Sequence, residues 1–292
     1  MQKILLDTDI GSDIDDSIAL TYLLCQPECE LAGITTVSGK PEQRARLASA
    51  ICTAAGKDIP IYSGTGAPLL TKQIQPHAPQ ADGIAAWPHR TDFAPNAAVT
   101  FMRDVIVQNP NEITLLAIGP LTNVALLFLT YPEMAGLLKS VVLMSGNFYN
   151  RLAMPMSEWN VRCDPFASRI VYENRDVKKL YAVGLDATLQ VRLSPEEVHQ
   201  RFTAPVLKPI LPYVEKWCDC CDGTVTFHDP LAAACLFDPA LCSFARGTVE
   251  VETANERCGG ITYFTPSEQG RHFVTETVDA ALFFEHYFSI VR

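Results

Sequence analysis

From Leu5 to Leu20 the chain reads Leu5-Leu6-Asp7-Thr8-Asp9-Ile10-Gly11-Ser12-Asp13-Ile14-Asp15-Asp16-Ser17-Ile18-Ala19-Leu20, with five carboxylates inside ten residues and nothing basic among them. Ile4-Leu5-Leu6 predicts a short buried strand, Gly11 and Ser12 a turn, and Asp15 onward a helix with its apolar side at Ile18, Ala19, Tyr22 and Leu23. The acids therefore crowd the carboxyl end of the first strand, where open α/β sheets bind their ligands. Packed carboxylates raise one another's pKa unless a cation neutralises them. The stretch points to a hard, oxygen-preferring divalent ion. Helix capping explains only part of it. Asp15 and Asp16 each gain about 0.3 to 1 kcal/mol from a helix dipole, whereas Asp7, Asp9 and Asp13 precede the helix and gain nothing.

Strand and helix signals then alternate almost without a break. Leu31 to Val37 predicts a strand, followed by an alanine-rich helix through Ala55, and Ile59 to Tyr62 a third strand. Residues 64–96 are rich in proline and lack periodicity, as expected of a functional loop over a pocket mouth, with His77, Asp82-Gly83, Trp87 and His89 as candidate lining residues. A helix from Ala97 to Gln108 leads into a buried strand, Ile113 to Ile118, which ends in Gly119-Pro120-Leu121-Thr122-Asn123 before another helix. Ser140 to Met144 is a further apolar strand, closed by Ser145-Gly146-Asn147, and carbonyls freed at such strand ends are ready ligands for a hard ion. Asp164-Pro165 and Ser194-Pro195 mark helix starts, Lys179 to Leu185 a strand, and Thr226-Phe227-His228-Asp229-Pro230-Leu231 a loop running into a helix. The expected architecture is α/β: a Rossmann-like open, mostly parallel sheet with helices on both faces and the site at the carboxyl ends of its strands. Residues 1–292 are expected to form one domain.

A net charge of -10 and a pI near 5.1 argue against nucleic acid or an anionic membrane as partner and in favour of a small molecule. The amino terminus meets Asp7 before a signal-peptide core can form, so a cytoplasmic location is expected. The uncharged run 113–131 is long enough to raise the question of a membrane span, but Gly119-Pro120 and Asn123 divide it into strand, turn and helix. The ten cysteines are expected as reduced thiols, with the Cys218, Cys220 and Cys221 cluster resembling part of a soft-metal site without a second pair to complete it.

Four stretches in this order resemble the inosine-uridine preferring nucleoside hydrolase family. The family opens Asp-x-Asp-Pro-Gly-x-Asp-Asp-Ala; here Asp7 to Ser17 carries a two-residue insertion and Ile10 in place of proline. The family's Thr-Gly-Pro-Leu-Thr-Asn turn, Met-Gly-Gly strand end, Glu-Phe-Asn triplet and His-Asp-Pro correspond to Ile118 to Asn123, Met144-Ser145-Gly146, Glu158-Trp159-Asn160 and His228-Asp229-Pro230. The resemblance implies calcium-dependent cleavage of the N-glycosidic bond of ribonucleosides, in purine and pyrimidine salvage, by a homodimer or homotetramer. It implies calcium held by Asp9, Asp16, the Ile118 carbonyl and Asp229, with Asp9 also the general base. Asp15, Met144, Asn147, Glu158 and Asn160 would bind the substrate. His228 would protonate the departing base, since it has the one side chain that titrates near neutrality unperturbed. A histidine there, where purine-preferring relatives carry an aromatic residue, implies a non-specific or pyrimidine-tolerant enzyme.

Two departures bear on the substrate. The family's Thr-Val-x-Gly-Asn becomes Thr36-Val37-Ser38-Gly39-Lys40, a cation in place of an amide, and its His-Gly-x-x-Gly loop has no clean counterpart around His77. The insertion leaves Asp13 as a second candidate for the base. Aspartate-nucleophile phosphatases of the haloacid dehalogenase type also begin with Asp-x-Asp after the first strand, which Asp7 and Asp9 satisfy; the density of Asp13, Asp15 and Asp16 does not fit them. A metal-dependent ribose-binding protein without turnover is the third reading.

Overall fold

The computed structural model describes residues 1–149, 157–218, 223–255 and 257–292. Six strands follow the expected alternation: β1 (Gln2–Thr8), β2 (Cys29–Thr36), β3 (Ile61–Ser63), β4 (Ile113–Ala117), β5 (Ser140–Met144) and β6 (Leu180–Val183). Two short strands, β7 (Arg192–Leu193) and β8 (Val225–Thr226), pair with each other. The carboxyl-terminal β9 (Cys242–Val251), β10 (Thr262–Pro266) and β11 (His272–Val278) complete a sheet ordered β10-β9-β11-β6-β5-β4-β1-β2-β3. From β3 to β11 every neighbour is parallel, while β9 runs antiparallel to both β11 and β10.

The chain fills one side of β1 with β2 and β3, then returns to lay β4 against its other edge. That reversal is the switch point of a doubly wound sheet, and a crevice opens there beyond the strand ends. Strand side chains alternate between two apolar layers: Ile4, Leu6 and Leu116 face one, Leu5, Leu115 and Ala117 the other. The helices Asp15–Cys25, Pro41–Ala54, His228–Ala234 and Ala280–Ile290 cover the first face, and Ala98–Gln108, Thr122–Thr130 and Pro165–Glu173 the second. The run 113–131 divides as expected into β4, a turn and the helix Thr122–Thr130. No helix among the described residues is long and apolar enough to cross a membrane. Every described cysteine is a free thiol; Cys220 and Cys221 lie outside the described residues.

Two side chains and one glycine hold the strand ends of the crevice together. Asp7, fully buried, accepts from the Thr35 hydroxyl at 2.6 Å and the Asn123 amide at 2.8 Å, which ties β1 to β2 and to the start of the helix Thr122–Thr130, reached by the turn after β4. Gly119 lets that turn close on β1, since a Cβ there would stand 2.8 Å from the Asp9 backbone nitrogen. Arg44, fully buried on the helix Pro41–Ala54, donates to the carbonyls of Ser38 (2.8 Å), Ile10 (3.1 Å) and His77 (3.1 Å) and to that of Asp9. One guanidinium thus pins the loop after β1 to the segment after β3. A planar fork of donors suits this as an ammonium does not.

Arg44→Met keeps the apolar stem and strips the donors from these four carbonyls. We expect a loss of about 3 kcal/mol or more, seen as a lower urea midpoint at unchanged slope. An unchanged midpoint would show that water takes over the guanidinium's role.

Candidate active site

Beyond the ends of β1 and β4 lies a cavity of about 290 Å³, lined among others by Asp9, Asp13, Asp15, Asp16, Ile118 and Asp229. The helix Asp15–Cys25 begins without a side-chain cap; its preceding residue is Ile14, whose N–H is taken by Asp13 at 2.6 Å. Asp15 and Asp16 are therefore free of capping duty and turn toward the cavity from the first helical turn. Asp229 comes from the first turn of the helix His228–Ala234, likewise without a side-chain cap, and its N–H donates to Asp15 Oδ2 at 3.1 Å. Carboxylate oxygens of Asp15, Asp16 and Asp229 lie within 4.8 Å of one another, all on buried residues. Burial first, and then the neighbouring carboxylates, push all three well above the usual carboxylate range. Arg44 offsets part of this for Asp16, yet its hydrogen bonds go to carbonyls. Three converging buried carboxylates, to which no cationic side chain among the described residues donates, fit a hard divalent cation.

Asp9 lies beside this group, at the end of β1. Its Oδ2 accepts from Gln75 Nε2 at 2.6 Å, and its pKa is raised by burial against the opposing effects of Arg44 and that amide. Thr8 links the two sets, donating its hydroxyl to Asp16 Oδ1 while accepting the Ile10 N–H at 3.0 Å. Burial brings Asp13, half-exposed at the rim, to a pKa of about 6.

Across the cavity, Asn160 donates its amide to the carbonyls of Ile118 (2.8 Å) and Met144 (3.1 Å), spanning the ends of β4 and β5. Glu158 caps the helix Trp159–Cys163, accepting from the N–H groups of Asn160 (2.6 Å), Val161 (3.1 Å) and Gly146 (3.2 Å). Burial nevertheless raises its pKa to about 7. The aromatic part of the wall is Trp159 and Trp217, with Leu185 from the end of β6. His228 also lines it, with Nδ1 2.7 Å from the Thr188 hydroxyl; lost hydration, and then Arg192, lower its pKa to about 4.

Placement departs from the sequence-based expectations in four ways. The tight acidic group contains Asp15, expected on the ribose, whereas Asp9, expected as a ligand, is set slightly apart. Glu158 spends its oxygens on backbone donors. Asn147 is absent from the cavity wall: its N–H and carbonyl are both engaged by Thr262 at 3.0 and 2.9 Å. Lys40, His77 and Trp87 do not line the cavity either. Lys40 and His77 are exposed, His77 contributing only its carbonyl, which accepts from Arg44 and from the Ser12 hydroxyl at 3.3 Å, and Trp87 packs against the apolar layer over β1. The proline-rich segment does reach the site, through Gln75, which the sequence did not single out. Ser12, Leu185 and Trp217 were missed too; of these, Leu185 alone carried a signal, as the last residue of the strand expected over Lys179 to Leu185.

The inosine-uridine preferring nucleoside hydrolase family model matches residues 4–285. A probable uridine nucleosidase 2 from Oryza sativa subsp. japonica is 30% identical over 275 residues, 86% of this chain and 79% of that protein. The non-specific ribonucleoside hydrolase RihC of Salmonella paratyphi C (strain RKS4594) is 33% identical over 269 residues, 89% of this chain and 86% of that protein. Among solved structures, a purine-preferring ribonucleoside hydrolase from Gardnerella vaginalis superposes with a TM-score of 0.84 at 25% identity, covering 99% of this chain and 98% of the other. A plant nucleoside hydrolase, PpNRh1, gives the same TM-score and coverage at 24% identity, and so supports the fold. With the family model spanning nearly its whole length and its buried acids gathered at the switch point of the sheet, the chain belongs to the inosine-uridine preferring nucleoside hydrolase family, hydrolases of N-glycosyl bonds.

Proposed function

We propose that the protein is a calcium-dependent, non-specific ribonucleoside hydrolase that accepts pyrimidine as well as purine nucleosides. The observation that carries this reading is the buried group Asp15, Asp16 and Asp229 at the β1/β4 switch point with Asp9 at its side. A divalent ion bound there supplies the positive charge that acidifies and orients the attacking water and draws in the ribose hydroxyls. Calcium, with its loose geometry and liking for carboxylate and carbonyl oxygens, suits three aspartates and the nearby Ile118 carbonyl. Asp9 takes the water's proton. Asp15 and Asn160 orient the sugar, while Glu158 caps the helix that carries Asn160. Attack at the anomeric carbon passes through an oxocarbenium-like transition state. Burial lowers the His228 pKa to about 4, so at pH 7 the resting ring is neutral and donates a hydrogen bond. As negative charge develops on the departing base the ring takes up a proton from solvent, and the imidazolium passes one to the base and returns to neutral imidazole. The breadth of substrate is supported by the histidine itself and by relatives named as a uridine nucleosidase and a non-specific hydrolase. Salvage in the cytoplasm by a homo-oligomer is the setting that this reading implies.

A screen of nucleosides with free-base detection should show inosine and uridine both cleaved, and Asp9→Asn should lower turnover by about 10² to 10⁴. Wild-type turnover in that variant would move the base to Asp13. Release of phosphate from sugar phosphates in place of free base would favour the phosphatase reading.

The acids also predict how stability depends on pH. Asp7 and Glu158 both titrate near 7 in the fold, against roughly 4 when unfolded. Between those values the folded chain binds the extra protons, so the stability they contribute is full below about 4 and is lost as pH rises through about 7. With chelator present, the melting temperature should rise when pH is lowered from 8 to 6. The gain on adding calcium should widen in the opposite direction, from pH 6 to 8, because protons compete for the ligands. A calcium effect that is absent, or independent of pH, counts against a cation at these carboxylates.

His228→Ala separates leaving-group assistance from the rest of the site. Turnover on inosine or uridine should fall by about 10² or more, while p-nitrophenyl riboside, whose phenolate departs unaided, should keep most of its rate. Equal losses on both would assign the ring to positioning Asp229.

A further inference from the structure

Gln75 is the one side chain of the long segment 64–96 that lies on the cavity wall, and it is 7% exposed. Its Nε2 donates to Asp9 Oδ2 at 2.6 Å and to Ser12 Oγ at 2.7 Å, and its Oε1 accepts from the Trp159 indole at 2.8 Å and the Cys163 thiol at 3.6 Å. These partners leave the amide one workable orientation. The indole N–H can only donate and an ionised carboxylate can only accept, so a flipped amide would set oxygen against oxygen and nitrogen against hydrogen. Its backbone is wedged as firmly, for a Cβ on Gly39 would lie 2.3 Å from the Gln75 carbonyl oxygen. Trp159, which stands where the family pattern has phenylalanine, brings the N–H that phenylalanine lacks. Lys40, where that pattern has an amide, is exposed.

We propose that Gln75 is the positioning residue of Asp9: oriented by Trp159, its amide holds one carboxylate oxygen and leaves the other directed at the water to be activated. The inference rests on the reading of Asp9 as general base. It also makes Trp159, 48% exposed at the cavity, the point from which an occupant of the site acts on Asp9.

Gln75→Leu removes both ends of the relay, and Gln75→Glu keeps length and shape and, read at a pH alkaline enough to ionise the new carboxyl, cannot donate to Asp9. Each should lower kcat about 10- to 100-fold, the scale of a lost hydrogen bond to a charged group, with KM within about threefold. Because water activation is common to all substrates, the loss should be equal on inosine and on p-nitrophenyl riboside, unlike that of His228→Ala. Trp159→Phe should lower kcat on its own yet add nothing in the Gln75→Leu background. Wild-type kcat in Gln75→Glu, a loss confined to KM, or additive losses in the double variant would each overturn the proposal. Gln75→Glu and Trp159→Phe carry the test if Gln75→Leu fails to fold. An active Asp9→Asn sinks the base assignment itself, whereas an inactive Asp9→Asn beside fully active Gln75 variants sinks only the role given to Gln75.

Discussion

Mutual repulsion among buried carboxylates governs this molecule. Asp15, Asp16 and Asp229 come together from two helices whose first turns meet above the switch point, and nothing in the apolar layers beneath can neutralise them. Much of the surrounding architecture serves to hold like charges where they would otherwise separate. Asp7 braces β1 against its neighbours from below, Thr8 restrains Asp16, and the Asp229 N–H restrains Asp15. A cavity built in this way is strained toward protonation when empty and toward a cation when one is available.

The fold was readable because β1, β2, β4 and β5 are apolar runs with clear stops, and helices lie between them at the expected lengths. The carboxyl-terminal strands were not. β9 alternates between buried and exposed positions and β10 is mostly exposed, as befits an antiparallel edge, so neither stands out as an apolar run. In the site, what could be read was what lies next to a strand end or a helix start: Asp9, Asp15, Asp16, Ile118, Asp229. Residues whose place depends on where a long loop folds back could not be read. His77 and Gln75 stand two apart in the same proline-rich segment, and only the tertiary path decides that the glutamine enters while the histidine stays outside. Glu158 illustrates another limit. Its position near the cavity was legible, but its engagement by three backbone N–H groups depends on a local turn that residue type does not reveal.

Arg44 shows how one cation can be both close to the acids and of limited use to them. Its charge opposes the rise in the pKa of Asp9 and Asp16, but its donors are committed to carbonyl oxygens on both sides of the crevice entrance. A guanidinium placed directly on the carboxylates would satisfy them and remove the reason for a divalent ion to bind. Set one layer back, it fixes the loop geometry and leaves the carboxylate oxygens available.

The hydrogen bond between Asp229 and Asp15 spans 214 positions of sequence. On a ribosome adding about 5 to 20 residues per second, the two are made roughly 10 to 40 s apart. The acids of the first helix therefore emerge long before their third partner, with β1 still lacking the strands that follow. A group that could hold a metal ion is therefore incomplete until the helix His228–Ala234 has been made and docked against the first helix. The order of synthesis thus places the gathering of the three acids after β6 has been made and while β9, β10 and β11 are still to come.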